Sequence, residues 1–396
     1  MEGMEICKPG GKIAYFCFYL AVIIEVLIVI IDKSSLINPI EGRLFQITFL
    51  LCFIKVCLTR YSWKEYLVIF LFCVLGVVSY LMTGRNEILR FVMFIAACKD
   101  VEIKECLKIV FYLTLTGCAL IILLAVTGIY GAVSLTQEYG RGGIETRYTL
   151  GMGHPNSLQC MIWALTMLGL YLYGERMRWY HYLAVLLVNI GCFGLTNSRT
   201  SFIAVVIGIC LSYFFAWQKE NILKRFLGIG CILGIIFSIG ISVVMAEKAN
   251  LLYAHYMLEE VTPESRFWDR VNEMLNGRIR ILVATTGFQG EISSWSIFSR
   301  PENNYYFDLG WVRLFYWYGI IPAGIAAIVV IFLAYYCFRK KDYMALALIT
   351  SFAIYTIIEA HAVSVYIARN YVIFILGAYW YQMIALRSEN GRTLKQ

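Results

Sequence analysis

Residues 13–31 read IAYFCFYLAVIIEVLIVII, an apolar run with one charged side chain, Glu25. A helix of about 20 such residues crosses the hydrocarbon core of a bilayer, which is about 30 Å thick. Similar runs recur to the end of the chain, and 60% of its 396 residues are hydrophobic while only 15% are charged. A soluble domain has roughly 45–50% apolar and about 25% charged residues. The sequence therefore predicts an integral membrane protein and excludes a water-soluble one. No small-residue cleavage site follows the first run, so we expect it to be a retained span.

The apolar windows predict an all-α, polytopic fold with about twelve spans in a single transmembrane domain, 1–396. They cover residues 13–31, 44–58, 66–82, 88–98, 107–129, 157–173, 182–195, 202–217, 226–246, 314–338, 344–358 and 371–386. The fourth window is short enough for a tilted or partial span. Lys and Arg are enriched in cytoplasmic loops, and this rule predicts a multi-pass protein with both termini in the cytoplasm.

Basic residues on the predicted outer side are almost all arginines. Of fourteen lysines only Lys33 and Lys248 lie there, against twelve of twenty arginines. Arginine alone has a planar fork that binds phosphate or carboxylate through two hydrogen bonds and keeps its charge. The asymmetry indicates anion recognition, although some of these arginines are equally expected to pair with outer acids. Those acids are Glu259, Glu260, Glu264, Asp269 and Glu273.

Other chemistries find little support in the residue pattern. The thirteen cysteines fall mostly inside apolar runs, which is typical of small buried hydrophobes rather than of disulfides or metal ligands. The aspartates are widely spaced, so we predict no metal and no other cofactor. No predicted cytoplasmic loop contains a phosphate-binding glycine motif, and nothing points to a nucleic acid partner.

Two predicted outer segments are long, at 131–156 and 247–313. Structureless loops beyond about 15 residues are uncommon unless they are functional. The second segment contains a predicted amphipathic helix near 263–276, which begins at Thr262-Pro263 and ends at Gly277. Its expected apolar face consists of Phe267, Val271, Met274 and Leu275.

Short motifs lie at the predicted outer membrane edge. RYTLGMGHPN, from Arg147 to Asn156, runs into a span; Pro155 favours the turn, and Asn156 is expected to cap the helix. NSRTS follows at 197–201, and DLGWVR at 308–313 with Gly319 beyond it. Together these motifs resemble the O-antigen polymerase and ligase family of bacterial polysaccharide assembly. Asp308 occupies the place that a histidine has in the family's ligases. An aspartate at this place resembles the Wzy-type polymerases of capsule and exopolysaccharide systems.

This resemblance implies a GT-C-like glycosyltransferase of the bacterial cytoplasmic membrane. The implied enzyme needs no metal and joins oligosaccharide repeat units carried on polyprenyl (undecaprenyl) pyrophosphate. Its other partners would be the lipid bilayer and the flippase and chain-length regulator of the same pathway. The predicted catalytic residues are Asp308, then His154, Glu302 and His361. The predicted pyrophosphate and glycan ligands are Arg147 and Arg199, then Arg278 and Arg280, with Asn156 and Arg313.

Several alternatives stay open at the level of sequence. Asp308 also fits a helix N-cap, His154 a turn residue, and Glu359 with Arg369 a plain ion pair. A ligase would differ only in its acceptor. A transporter or flippase of lipid-linked sugars has a similar number of spans, but such proteins usually carry several charged residues at mid-membrane depth. Here only Glu25 and Lys55 lie well inside predicted spans. A scaffold or receptor is the remaining class.

Overall fold

A computed structural model describes residues 9–139, 143–283, 289–361 and 363–393. Within these ranges the chain is mostly helical. The helices are α1 Pro9–Lys33, α2 Glu41–Leu58, α3 Trp63–Thr83, α4 Glu87–Ala97, α5 Ile103–Val126, α6 Pro155–Tyr173, α7 Trp179–Thr196, α8 Arg199–Trp217, α9 Ile222–Met257, α10 Pro263–Met274, α11 Gly310–Tyr318, α12 Ile320–Lys340, α13 Tyr343–Thr356 and α14 Tyr371–Thr393. Two short strands, β1 Ser134–Glu138 and β2 Ile144–Tyr148, form the described β-structure.

Each predicted apolar window contains a helix, so the prediction of a helical membrane protein is confirmed. Among the described residues, eight helices are long and apolar enough to cross a bilayer: α1, α3, α5, α6, α7, α8, α9 and α12. α13 and α14 are shorter apolar helices. The figure of about twelve spans stays a prediction.

α13 forms the centre of the helix bundle. Nearly every residue from Tyr343 to Thr356 is buried, and the helix packs against α6, α8, α9, α12 and α14. A helix that is apolar on all sides must be enclosed by other helices or by lipid. The enclosing helices therefore carry the lipid-facing surface, and α13 places its last turn and the following loop at one end of the bundle.

The prediction of one continuous helix over 314–338 is wrong, because Gly319 separates α11 from α12. Gly319 has φ +93°, and a Cβ there would lie 2.7 Å from the carbonyl oxygen of Ile297. The segment 296–299 crosses the break: Ser299 N–H donates to Tyr318 O at 3.2 Å, and Ile320 N–H donates to Ser296 O at 2.8 Å. These bonds replace helical hydrogen bonds that the break removes.

α9 continues to Met257, so the predicted start of the long loop at residue 247 is wrong. Its 36 residues span about 54 Å at about 1.5 Å per residue. The extension is stable because Ala249 and Leu252 are buried in a second apolar cluster together with Trp268 and Leu282. The long loop is therefore packed on the end of α9.

Within this loop, α10 confirms the predicted amphipathic helix and its cap. The side chain of Thr262 accepts the N–H of Ser265 at 3.0 Å. The apolar face is partly different from the prediction, because Trp268 is buried while Phe267 is 59% and Met274 81% exposed. Gly277, with φ +76°, follows the helix as predicted.

The first long segment contains the β-hairpin, which the sequence patterns did not predict. β1 and β2 pair antiparallel, with Leu135 opposite Arg147. The hydroxyls of Thr136 and Thr146 lie 2.8 Å apart across the pair. The hairpin fixes the backbone of Arg147 close to the start of α6.

Candidate functional site

Polar side chains from three parts of the chain meet at the end of the bundle where α11 begins. Nη2 of Arg278 lies 3.3 Å from Oδ2 of Asp308 and 3.3 Å from Oε1 of Glu359. Arg313 and Arg369 complete what we call the arginine cluster: Arg278, Arg313, Arg369, Asp308 and Glu359. Burial and Asp308 raise the pKa of Glu359, whereas Arg278 and Arg369 lower it, and the charges of Asp308 and Arg369 also act on Arg313. The cluster joins the long loop, α11 and the loop after α13.

The turn after α10 positions Arg278. Oδ1 of Asn272 accepts the backbone N–H of Ile279 at 3.1 Å and that of Arg280 at 3.0 Å. The N–H of Gly277 donates to Asn272 O at 2.8 Å. Ile279 is fully buried, which anchors the turn from the other side. These contacts fix the backbone on both sides of Arg278.

Asp308 lies two residues before α11 and does not cap it. The N-cap position is Leu309, which makes no side-chain cap hydrogen bond; the N-cap interpretation of Asp308 is therefore wrong. Gly310 starts the helix where a Cβ would lie 2.4 Å from Glu359 O and 2.7 Å from Thr356 O. Only glycine permits this approach of α11 to the end of α13. The side chain of Asp308 is 38% exposed, so it remains accessible from outside the cluster.

The guanidinium groups of the cluster have buried N–H groups without a partner in the described residues. These atoms are Nε and Nη1 of Arg278, Nε and Nη1 of Arg313, and Nε of Arg369. Arg313 is 3% exposed and stacks on the ring of Tyr306 at 4.0 Å. Burying a charged donor without an acceptor is costly, at about 1–3 kcal/mol or more for each group. An anion with several acceptor oxygens would satisfy these donors.

The charge balance also favours an anion. Three arginines face two carboxylates, and burial together with Asp308 raises the pKa of Glu359 to about 7. Near neutral pH the cluster is therefore positive by at least one charge. This excess charge is available to a negatively charged ligand.

His154 lies near the cluster, where its burial favours the neutral imidazole. Burial lowers its pKa, an effect that Asp308 partly offsets. Its Nδ1 accepts the N–H of Asn156 at 3.1 Å, so His154 is the N-cap of α6. The prediction that Asn156 caps this helix is wrong, because Asn156 lies inside the first turn and its own N–H is the group that the His154 side chain caps. Asn156 itself is partly buried in the first turn.

Arg147 and Arg199, the first choices for pyrophosphate, occupy different settings. The side chain of Arg147 is 6% exposed and pairs with Glu145, with Nη2 to Oε2 at 2.7 Å. It also covers the ring of Tyr139 at 3.9 Å. Arg199 is exposed at the first position of α8. Nδ2 of Asn197, two residues before it, donates to the same Glu145 carboxylate at 3.4 Å, so the hairpin and this turn are joined.

Of the remaining predicted site residues, Arg280 and Glu302 lie apart from the cluster, whereas the N–H of His361 donates to Glu359 O at 2.9 Å. Arg280 is exposed and sits 4.9 Å from the ring of Tyr256, while Glu302 is exposed on the loop before α11. His361 is fully buried, 4.3 Å from the ring of Tyr355, and burial lowers its pKa far below the usual range. Because its side chain has no exposed surface, this histidine can support the wall of the site but cannot contact a ligand from solvent.

The sequence allows Glu359 and Arg369 to form an ion pair with each other. The structure pairs Glu359 with Arg278 instead, and Nη2 of Arg369 donates to the sulfur of Cys160 at 3.5 Å. In the sequence, a polar site at this place is indicated by a charged residue on each side of a short turn between two apolar windows. Among the described residues, no group of three or more His, Cys, Asp or Glu side chains is arranged to hold a metal ion.

Fold and site together define a helical membrane protein with a positively charged polar cluster at one end of its helices. Comparisons with family models, with characterised proteins and with solved structures gave no match. The resemblance drawn from the motifs therefore stays a prediction.

Proposed function

We propose that the protein is a polysaccharide polymerase that joins oligosaccharide repeat units carried on polyprenyl pyrophosphate. The observation that carries the proposal is the arginine cluster, with its unpaired guanidinium N–H groups beside a partly exposed carboxylate. Arginine is well suited to hold phosphate oxygens through two hydrogen bonds at once. Pyrophosphate carries negative charge and several acceptor oxygens, which are what these unpaired guanidinium N–H groups require.

The proposed reaction is a displacement at the anomeric carbon of the donor sugar. The hydroxyl oxygen of the acceptor sugar forms the new bond, the bond from carbon to phosphate oxygen breaks, and its electron pair leaves with the pyrophosphate. Arg278 and Arg313 would stabilise the charge that develops on the leaving group. Asp308, 38% exposed and next to Arg278, would accept the proton of the hydroxyl. An O-antigen-type ligase would use the same steps with a different acceptor.

The test is a reconstitution with purified protein in lipid vesicles. A lipid-linked repeat unit is supplied without nucleotide or added metal, and the products are resolved by glycan electrophoresis. We expect a ladder of longer glycans from the wild type and none from Asp308→Asn. A ladder that is unchanged in Arg147→Ala, Arg199→Ala, Arg278→Gln and Asp308→Asn would contradict this site.

A transporter of lipid-linked sugars is the second candidate. It is favoured by a charged group deep in the bundle: Oε1 of Glu25 lies 3.0 Å from Nη2 of Arg90, and both side chains are buried. Thr48 donates to the same oxygen at 2.6 Å. Buried ionisable residues in spans often mark transport pathways. Movement of the intact lipid between leaflets, without a ladder, would support transport over polymerisation.

A further inference from the structure

An apolar groove lies toward the end of the helices opposite the arginine cluster. Lys64 is in the first turn of α3, and Arg85, just beyond the last turn of α3, donates to Asn303 O at 2.8 Å and to Trp317 O at 3.3 Å in the loop and helix next to the cluster. This groove begins beside Lys64. It is therefore separated from the arginine cluster by the length of α3.

The groove runs between α3, α4, α12 and α14 and has a volume of about 960 Å³. Its walls are apolar and aromatic. They include Val68, Phe72, Val92, Phe332 and Leu376. Surfaces of this kind bind hydrocarbon chains, and the groove lies among helices that the bilayer surrounds.

Three basic side chains line the groove at one end: Lys64, Arg339 and Lys340. None of them forms an ion pair with a side chain that the structure describes. Arg339 donates only to the hydroxyl of Tyr335, at 3.2 Å. The mouth of the groove therefore has three positive charges available to an anion.

Trp380 provides a separate indication of a polar ligand. It lines the groove, is only 6% exposed, and its indole N–H has no partner among the described residues. Buried tryptophan N–H groups usually find an acceptor. A phosphate or ester oxygen placed in the groove would supply one.

The depth of the groove matches one leaflet. Along α12 it extends from Val329 to Lys340, about 16 Å at about 1.5 Å per residue. This is half of a hydrocarbon core about 30 Å thick. A lipid of that leaflet would place its acyl chains along the apolar walls and its head group at the basic end.

We propose that this groove binds an anionic diacyl phospholipid of the leaflet on the side opposite the arginine cluster, with its phosphate held by Lys64, Arg339 and Lys340. Clusters of basic residues between helices are a recognised means of binding acidic lipid head groups. The site is distinct from the proposed polymerase site, and neither proposal depends on the other.

The test measures lipid retention by native mass spectrometry. The full chain is purified in detergent with equal amounts of phosphatidylglycerol and phosphatidylcholine. We expect preferential retention of phosphatidylglycerol, with a loss of about fivefold for each basic side chain removed, on the scale expected for a basic residue at an acidic membrane surface. The variant Lys64→Gln/Arg339→Gln/Lys340→Gln should therefore lose the preference.

The matched control is Arg176→Gln/Arg178→Gln/Lys219→Gln, which removes three exposed charges at the same end of the bundle but outside the groove. It should retain the preference, while Val68→Trp, which fills the groove, should lose both lipids. If the groove variant does not fold, Trp380→Phe tests the same site and should reduce phosphatidylglycerol retention. Equal retention of the two lipids by the wild type, or equal losses in the groove and control variants, would overturn the proposal.

Discussion

Arg278 is the side chain on which the two acids of the cluster converge. Its Nη2 is shared between Asp308 and Glu359, 3.3 Å from each, whereas Nε and Nη1 have no described partner. Two carboxylates thus hold Nη2 in place, while the buried N–H groups at Nε and Nη1 lack an acceptor. Arg280, two residues later, is exposed and makes neither contact.

Arg278→Gln should reduce glycan polymerisation by roughly 100-fold to 1,000-fold, the effect of removing a donor to developing negative charge. Arg280→Gln is the matched control on the same turn, and we expect it to keep near wild-type activity. The measurement is the initial rate of ladder formation with saturating lipid-linked substrate. Equal rates in the two variants would remove Arg278 from the site.

Glu359 should make stability depend on pH. Because its folded-state pKa is raised from 4.5 to about 7, the folded protein binds a proton more tightly than the unfolded chain. The resulting stabilisation is fully present below pH 4.5 and is lost as the pH rises through about 7. We expect the melting temperature to fall over this range.

In Glu359→Gln this fall should be clearly smaller, as measured by thermal unfolding in detergent at a series of pH values. Glu302→Gln removes an exposed carboxylate and should keep the wild-type slope. A slope that is unchanged in Glu359→Gln would show that another group causes the pH dependence.

At the residue scale the sequence predicted part of the cluster. The resemblance implied a site that contains Arg278, Arg280 and Asp308, and the structure places Arg278 next to Asp308, at 3.3 Å, but not Arg280. The partner of Glu359 was missed because pairing across long loops depends on tertiary contacts that local patterns do not contain. The buried position of His361 likewise follows from the packing of three aromatic rings around it, those of Trp163, Phe352 and Tyr355.

At the scale of elements, Gly319 determines how the chain passes from α11 to α12. Its φ of +93° is a conformation that side-chain-bearing residues rarely adopt, and backbone atoms of 297–299 fill the space of a Cβ. Helix α12 contains a second glycine, Gly324, with nothing within 4 Å of its ideal Cβ position. The two glycines lie only five positions apart in the chain, but the space around Gly319 is filled and the space around Gly324 is open.

Gly319→Ala should destabilise the protein by about 1–3 kcal/mol, since the strained backbone cost adds to the overlap with Ile297 and Phe298. Gly324→Ala should be neutral or stabilising by up to about 1 kcal/mol, because alanine favours the helix interior. Thermal unfolding in detergent measures both. A Gly319→Ala protein as stable as Gly324→Ala would mean that the break does not need glycine.

Most elements could be predicted from apolar windows, because a bilayer requires long apolar helices. The exceptions share one cause. The extension of α9, the break at Gly319 and the β-hairpin are all stabilised by contacts with distant segments, such as Leu252 with the second apolar cluster. Composition along the chain does not report such contacts.

At the scale of the whole molecule, the arginine cluster and the basic end of the groove between α3, α4, α12 and α14 lie at opposite ends of the bundle. Glu302 is exposed on the loop next to the cluster, and Lys219 is exposed between α8 and α9 at the other end. The excess of Lys and Arg in the loops at that second end predicts that it faces the cytoplasm.

A membrane-impermeant maleimide should therefore label Glu302→Cys in intact cells and Lys219→Cys only after the membrane is opened. The unsubstituted protein gives the background from its own cysteines, of which every described one is a free thiol. The reverse pattern would invert the predicted orientation and place the cluster in the cytoplasm.

The break between α11 and α12 has a consequence for biosynthesis. Exposed to lipid alone, its interrupted backbone would lack hydrogen-bond partners, which is costly in hydrocarbon. Its partners, Ser296, Ile297 and Ser299, are translated before α11 and α12 emerge from the ribosome. The segment that completes the broken helix is therefore already present when the helix inserts, and folding can follow the order of synthesis without a delayed rearrangement.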